Sequence, residues 1–453
     1  MQRTTLAMLA VGAGLAASCG DDARKSTFPA VDCSKITVGS CVEIDGADSA
    51  ALQAAANSIG ANTTIVLGAG TFAMANQLTL RSDGMHLIGQ GIELTTLDFG
   101  AATTQVNGVD SIGKDFLIQD LTVRDAPKDA IRVEQSDGVV FRRIRSTWTT
   151  PSRASNGAYG IYPVKSQHVL VEDSRAENAS DAGLYVGQCQ HVIVRNNTVT
   201  GNVAGLEIEN TQYADVYGNT AEDNTGGIVV FDLPGNPIIG RDVRLRDNTI
   251  RNNNHVNFAS GGTVARIPVG TGTFAMASRR VEITGNTYEN NHTGDIALIS
   301  GLAVEGEEAK WVLPTDSLSG RFDDLALTSP RPGTVSNFRA ENILVANNHH
   351  AGSGTMPDPG DPLHLGLLFL AAYGTSPVDN VLYDAIGEGP HTDAPTNKNH
   401  MCVAGNTAGT FASLYLAEQT PTALVPFFRP PPPFAPYDCT ALAGGPVAEV
   451  TLP

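Results

Sequence analysis

Short apolar segments recur along this chain at an almost fixed interval. Gly-apolar-x-apolar begins at Gly160, Gly183, Gly205 and Gly227, with spacings of 23, 22 and 22 residues. Ala130-Ile131 is an upstream member once the loop WTTPSRASNGA is allowed for. A second column runs through FRRI (141–144), VEDS (171–174), VRNN (194–197), VYGN (216–219) and LRDN (245–248). A third is Asn-Thr-x-x-x-Asn, in NTVTGN from 197, NTAEDN from 219, NTIRNN from 248 and NTYENN from 286. Each apolar segment is short and alternates in the manner of a strand. A period near 22 residues holding several short strands is the mark of a solenoid. Three strands at ~3.3 Å per residue, with their turns, fit one period, and coils stacked at ~4.8 Å place equivalent residues over one another. The fold class expected is all-β: a right-handed parallel β-helix with three-strand coils.

The stacking makes further predictions. Asn tolerates the left-handed backbone of a sharp turn, and stacked Asn amides can bond from coil to coil. Charges alternate up the stack: Arg142, Glu172 and Arg195 form one column, Asp120, Arg143 and Asp173 its neighbour. Opposite charges on adjacent strands stabilise each other, so the cluster FRRIR reads as a structural ladder. His168 and His191 share the 23-residue spacing and read as stacked turn residues.

LQAAANSIGANTTIVLGAGTF followed by LTLRSDGMHLIGQGIELTTLDFG resembles the opening of pectin-lyase-like β-helix proteins. The resemblance implies that a helix, here Ala50 to Ser58, caps the solenoid end, where bare strand edges would otherwise be exposed. AGLEIENTQYADVYGNTAEDNTGGIVVFDLPGN resembles a narrower group of secreted or lipoprotein β-helix repeat proteins carrying GIEIEN and NTGGI-x-VFDLPG motifs. That group is described by fold and implies little about activity. Beyond residue 300 the repeat loosens. Residues 302–336 read as an inserted loop, and weak coils return at 342–348, 366–372 and 401–417. FFRPPPPFAPYDC reads as an extended strap. The organisation expected is a signal peptide over 1–18, a tether and disulfide loop over 19–49, regular coils over 50–300, and looser coils with a Pro-rich tail over 301–453.

Charge and cysteines narrow the setting. Lys+Arg is 29 against 47 Asp+Glu, a net charge of −18. Such a surface repels nucleic acid and anionic headgroups. The run Leu6 to Ala17 has signal-peptide dimensions, and Ala16-Ala17-Ser18-Cys19 resembles a bacterial lipoprotein processing box. Lipidation at Cys19 would anchor the protein in the bacterial cell envelope; cleavage after Ser18 without lipidation would release a secreted form. The remaining cysteines suit disulfides in an exported protein. Spacing does not fix connectivity; the economical pairing is Cys33–Cys41 and Cys402–Cys439, with Cys189 left as a buried thiol.

The x positions of the Gly-apolar-x-apolar strands face outward. One outward column reads Arg132, Tyr162, Tyr185, Glu207, Val229; the next reads Glu134, Val164, Gly187, Glu209, Phe231. The adjoining turn stacks Gln135, Lys165, Gln188, Asn210 and Asp232. Aromatic faces and hydrogen-bonding groups on one strip are what a sugar-binding groove needs. The substrate-binding candidates are therefore Arg132, Tyr162, Lys165, Tyr185, Asn210 and Phe231. Glu207 and Glu209 lie ~6.6 Å apart along a strand, near the ~6.5–9.5 Å of inverting glycosidases, and with Asp232 they are the catalytic candidates. Asp232 is equally a turn residue by its position. The NTD, GHG and RIK set of polygalacturonases, the R-x-x-P-x-x-R and W-x-D-H runs of pectate lyases and the D-P-H-D of mannuronan epimerases are absent. No zinc spacing or calcium nonapeptide occurs, so no cofactor is expected; an acidic groove leaves calcium open, but no motif asks for it. Two readings follow, both of a protein expected to be a monomer: a non-catalytic surface module that binds polysaccharide or another exported protein, or a polysaccharide lyase, glycoside hydrolase or epimerase using the same face.

Overall fold

The computed structural model describes residues 32–420 and 422–453. Cys19 and the signal-peptide segment lie outside the described residues. The chain winds as a parallel β-solenoid whose coils each contribute to three sheets. One coil shows the rule: Gln212–Tyr217 lies in the first sheet, Thr220–Glu222 in the second and Gly226–Phe231 in the third. Each pairs in parallel with its equivalent one coil away: Val192, Ala214 and Val243 are in register in the first sheet, Val199, Ala221 and Ile250 in the second. The third sheet has eleven strands, from Leu78–Leu80 to Phe411–Ser413.

The interior follows from period-2 alternation. Val169, Val192, Ala214, Val243, Val281, Ile343 and Met401 stack in register, and all are buried. Each buried Val or Ile contributes about 1.5–3 kcal/mol. Two asparagine ladders run beside this core. In one, Asn202, Asn224 and Asn253 are buried; each Nδ2 donates to the next Oδ1 at 3.0 Å, and the Asn253 Nδ2 to Asn291 at 3.1 Å. The other runs Asn197, Asn219, Asn248, Asn286, Asn348 and Asn406. The left-handed residue is not the ladder asparagine, as expected, but the one before it: Asn196, Gly218, Asp247, Gly285 and Asn347 in one ladder, Gly201, Asp223, Asn252 and Asn290 in the other. That residue turns the chain; the next side chain then points inward and supplies the bonds the bent backbone has lost.

The charged columns form. Arg142 and Arg195 both reach Glu172, and Arg143 reaches Asp120 at 2.7 Å. His168, His191 and Tyr213 stack at 5.3 and 4.9 Å.

At the N-terminal end, helix α1 (Ser49–Ser58) is capped by Asp48, whose carboxylate accepts from the Ala51 N–H at 2.9 Å. Leu52 and Ala55 of α1 join the solenoid core. Cys33–Cys41 and Cys402–Cys439 are disulfides, and Cys189 is a buried thiol. Phe434 and Tyr437 of the Pro-rich strap close the C-terminal end against Phe411.

One expected coil is absent. GLLFLAA is helix α2 (Leu365–Tyr373), not a strand. An uninterrupted apolar run carries no period to separate helix from strand. Here Leu365, Phe369 and Tyr373, spaced by four, pack with Leu382, Ala412 and Leu414 of the third sheet's outer surface. Among the described residues no helix is long and apolar enough to cross a membrane.

Candidate functional site

The outward columns of the third sheet stack as their spacing predicts. Asp110, Arg132 and Tyr162 are consecutive neighbours, as are Tyr185, Glu207 and Val229, then Phe274 and Ala297. They do not make one open groove. The inserted segments 252–270 and 300–340 fold over the middle of the strip. Val264, Ile267, Val304, Trp311 and Phe338 from these segments pack on Val229, Phe231, Phe274 and Met276.

This cover changes the role of most catalytic candidates. Glu207 is 1% exposed, and its Oε1 has no hydrogen-bond partner. It faces a cavity of about 10 Å³ lined mainly by Val229, Phe231, Val264, Ile267 and Phe274, room for about one water. Burial first, then the charges of Asp181 and Glu209, hold its carboxyl far above the usual range. Glu209 accepts from the Tyr185 hydroxyl and from Asn236. Burial raises its pKa although these bonds oppose the shift. Phe231 is an apolar contact beneath the cover rather than a sugar platform.

Asp232 and Asn210 belong to the loop 233–240. The Asn210 Oδ1 accepts from the Leu233 N–H and Asn236 Nδ2, both at 2.8 Å, and its Nδ2 donates to the Ile238 carbonyl at 2.7 Å. Asp232 is 1% exposed, and its Oδ2 accepts from the Gly240 N–H at 2.8 Å and from Asn337 at 2.7 Å. A Cβ on Gly240 would lie 2.2 Å from the Asp232 carboxylate. Unlike Gln135, Lys165, Gln188 and Asn210, Asp232 is not left-handed: the chain leaves the coil there. GLEIEN and FDLPGN are thus one structural unit, the first coil holding the loop of the second. Glu207, Glu209 and Asp232 have no access to a polymeric substrate in this arrangement.

The open part of the strip lies over the earlier coils. Tyr159, Tyr162 and Tyr185 form a ring cluster with centroids 4.6, 4.6 and 4.9 Å apart. Gly187 leaves room for it, since a Cβ there would lie 2.4 Å from the Tyr185 ring. Tyr185 is at the covered edge, whereas Tyr159 and Tyr162 are half-buried. Arg132 sits beside them, 2.9 Å from Asp110 and 3.4 Å from Glu134; the exposed Lys165 is 3.5 Å from Glu134.

Sequence reasoning missed three members of this site. Asp181 lies beside Tyr159, and burial pushes its carboxyl up to about 7. Asp129 is 1% exposed, its Oδ1 has no partner, and burial raises it to about 6, against the opposing charges of Lys128 and Arg132. These residues stand where the chain enters each strand, outside the alternating columns that flagged the others. Elsewhere, His400, Cys402 and Cys439 bring ligand atoms within 4.8 Å of one another, but both sulfurs are spent in the disulfide.

A stacked solenoid with loops folded over one flank is the architecture of a repeat protein that presents a sheet surface along its axis. Residues 129–308 match the family described as right handed beta helix region, in keeping with the parallel β-solenoid that the described residues form. Among solved structures it is similar to the Azotobacter vinelandii mannuronan C-5 epimerase AlgE4 A-module (15% identity, 81% of this chain and 91% of that one, TM-score 0.48). It is also similar to the pectate lyase Pel9A (14%, 77% and 76%, 0.38) and to the Pseudomonas phage phi297 tailspike gp61 (11%, 79% and 67%, 0.44). No curated protein matches the chain in sequence. Fold at such distances does not carry function.

Proposed function

We propose that this protein is an exported β-helix module, anchored through lipid on Cys19, that binds a polysaccharide on the open flank of its third sheet. The observation that carries the reading is the Tyr159–Tyr162–Tyr185 cluster, placed where the covering loops end. Aromatic faces take the apolar side of a sugar ring, and Arg132, Lys165 and Glu134 beside them offer donors and acceptors for its hydroxyls. The flanking cations are already paired with carboxylates, which favours a neutral glycan over a polyanionic one. Affinity electrophoresis against a panel of neutral and acidic polysaccharides tests this. Tyr162→Ala is expected to weaken binding by about 1–2 kcal/mol, roughly tenfold, with the melting temperature checked in parallel. A panel that shows no retardation of the wild-type protein defeats the reading.

One observation favours a second reading, that of a polysaccharide-active enzyme. Asp181, beside Tyr159 with its carboxyl raised by burial to about 7, has the character of a general acid. Under that reading Asp181→Asn abolishes product formation from a bound polymer while leaving binding intact. Binding without any product from the wild-type protein leaves the module alone.

A further inference from the structure

The strongest unassigned feature lies across the corner from the tyrosines, where the third sheet turns into the first. A groove of about 660 Å³ opens there between the segment 321–326 and the C-terminal tail near Ala443. Its floor is made by two consecutive coils. Arg241 and Arg279 are directly opposite each other on neighbouring parallel strands, 3% and 2% exposed. Like charges so placed destabilise a sheet, and burying them adds to the cost. The next residue in each coil, Asp242 and Arg280, has left-handed backbone, as do Tyr213, Asn342 and His400 at the equivalent positions, and all five line the groove.

In a chain with 47 acidic and 29 basic side chains, the balance in this groove is reversed. Arg241, Arg279, Arg280, Arg321 and Lys398 line it, against the carboxylates Asp242, Asp324 and Glu341. Two positive charges are left over. The carboxylates are spent within the wall: Asp242 on Arg241 and Arg280, Asp324 on Arg241 and Arg321, Glu341 on Arg279. Arg321 is 59% exposed, and its partner Asp324 is shared with Arg241. Lys398 is exposed. At one end the Tyr213 ring continues the His168–His191 stack and offers a flat apolar face.

We propose that this groove binds a phosphomonoester, such as a phosphorylated sugar, with the phosphate between Arg321, Lys398 and Arg280 and the organic part toward Tyr213. A phosphomonoester carries about −1.5 to −2 charge at pH 7 and three acceptor oxygens, which matches the surplus; a single carboxylate would leave one cation uncompensated. Guanidinium groups favour such oxyanions through paired hydrogen bonds. The site is separate from the tyrosine flank and does not depend on the glycan reading.

The test uses the full mature chain and isothermal titration with glucose 6-phosphate, glucose and glucuronate, with inorganic phosphate as competitor. Glucose 6-phosphate is expected to bind, glucose not, and glucuronate at least tenfold more weakly. Inorganic phosphate should compete, and raised salt should weaken binding. The exposed-residue variants Arg321→Ala and Lys398→Ala, melted alongside the wild type to show that they fold, should each lower affinity, and together by at least tenfold. The proposal is overturned by no response to either phosphate probe at millimolar concentration, by glucuronate binding as well as glucose 6-phosphate, or by an unchanged affinity in the folded double variant.

Discussion

Replacing Asp232 with Asn isolates one buried charge. Asp232 is 1% exposed, and burial raises its carboxyl to about 7 from an ordinary 3.8, although Asn337, the Gly240 N–H and Arg279 all pull the other way. Because the folded value lies above the unfolded one, the folded state holds this proton more tightly. The contribution to stability is therefore complete below about pH 4 and is lost as the pH rises through 7. A difference of about three units at 1.36 kcal/mol each sets a ceiling of about 4 kcal/mol. Asn keeps the shape, and its carbonyl oxygen can still accept from Gly240 and Asn337, but it never ionises. Arg279 loses a nearby charge but retains Glu341 and Asn337. Urea denaturation of the two proteins from pH 4 to pH 8 should give similar stabilities at pH 4. At pH 8 the variant should be more stable by up to about 4 kcal/mol, less if the native state relaxes around the charge. Parallel curves across this range would show that Asp232 is not a buried proton store, and a variant weakened equally at every pH would show that its role is the hydrogen bonds alone.

Three further outcomes are expected. Asn224→Ala removes the acceptor of the Asn202 N–H and Nδ2 and the donor to Val199 and Asn253; leaving these buried groups unpaired should cost about 3 kcal/mol or more, read as a lower urea midpoint, and an unchanged midpoint would mean the ladder relaxes freely. Glu207→Leu removes an unpartnered buried carboxyl from an apolar cavity and should raise stability at neutral pH by about 1–3 kcal/mol; a fall in melting temperature would mean the carboxyl is satisfied in solution. Replacing Cys402 and Cys439 by Ser opens a loop of sequence separation 37 and should cost about 3–4 kcal/mol on the chain-entropy account, with faster hydrogen exchange in the Pro-rich strap; equal exchange in both proteins would show that Phe434 and Tyr437 hold the strap unaided.

The coil was legible because it repeats. Strand alternation, the asparagine ladders and the alternating charges each restate one period, and nearest-neighbour stacking turns that period directly into contacts. The same logic put Arg132 beside Tyr162 and Tyr185 beside Glu207. The helix at 365–373 was not legible, since a run of leucines without alternation fits either element.

Sequence by itself determined the register: which side chains point in, which point out and which sit over one another, since these are local consequences of a two-residue alternation inside a 22-residue turn. What only the tertiary structure decided is which outward residues meet solvent. The segments 252–270 and 300–340 occur once each and have no neighbouring copy to set their course. They settle on the third sheet because its outward column changes from Glu207 to Val229, Phe274 and Ala297, an apolar strip that must be covered. That change was written in the sequence as the one sign that the strip would close. The closure leaves Asp232 a clamp and Glu207 a buried acid, and it leaves Tyr159 and Tyr162 of the earlier coils as the part of the strip that remains partly open.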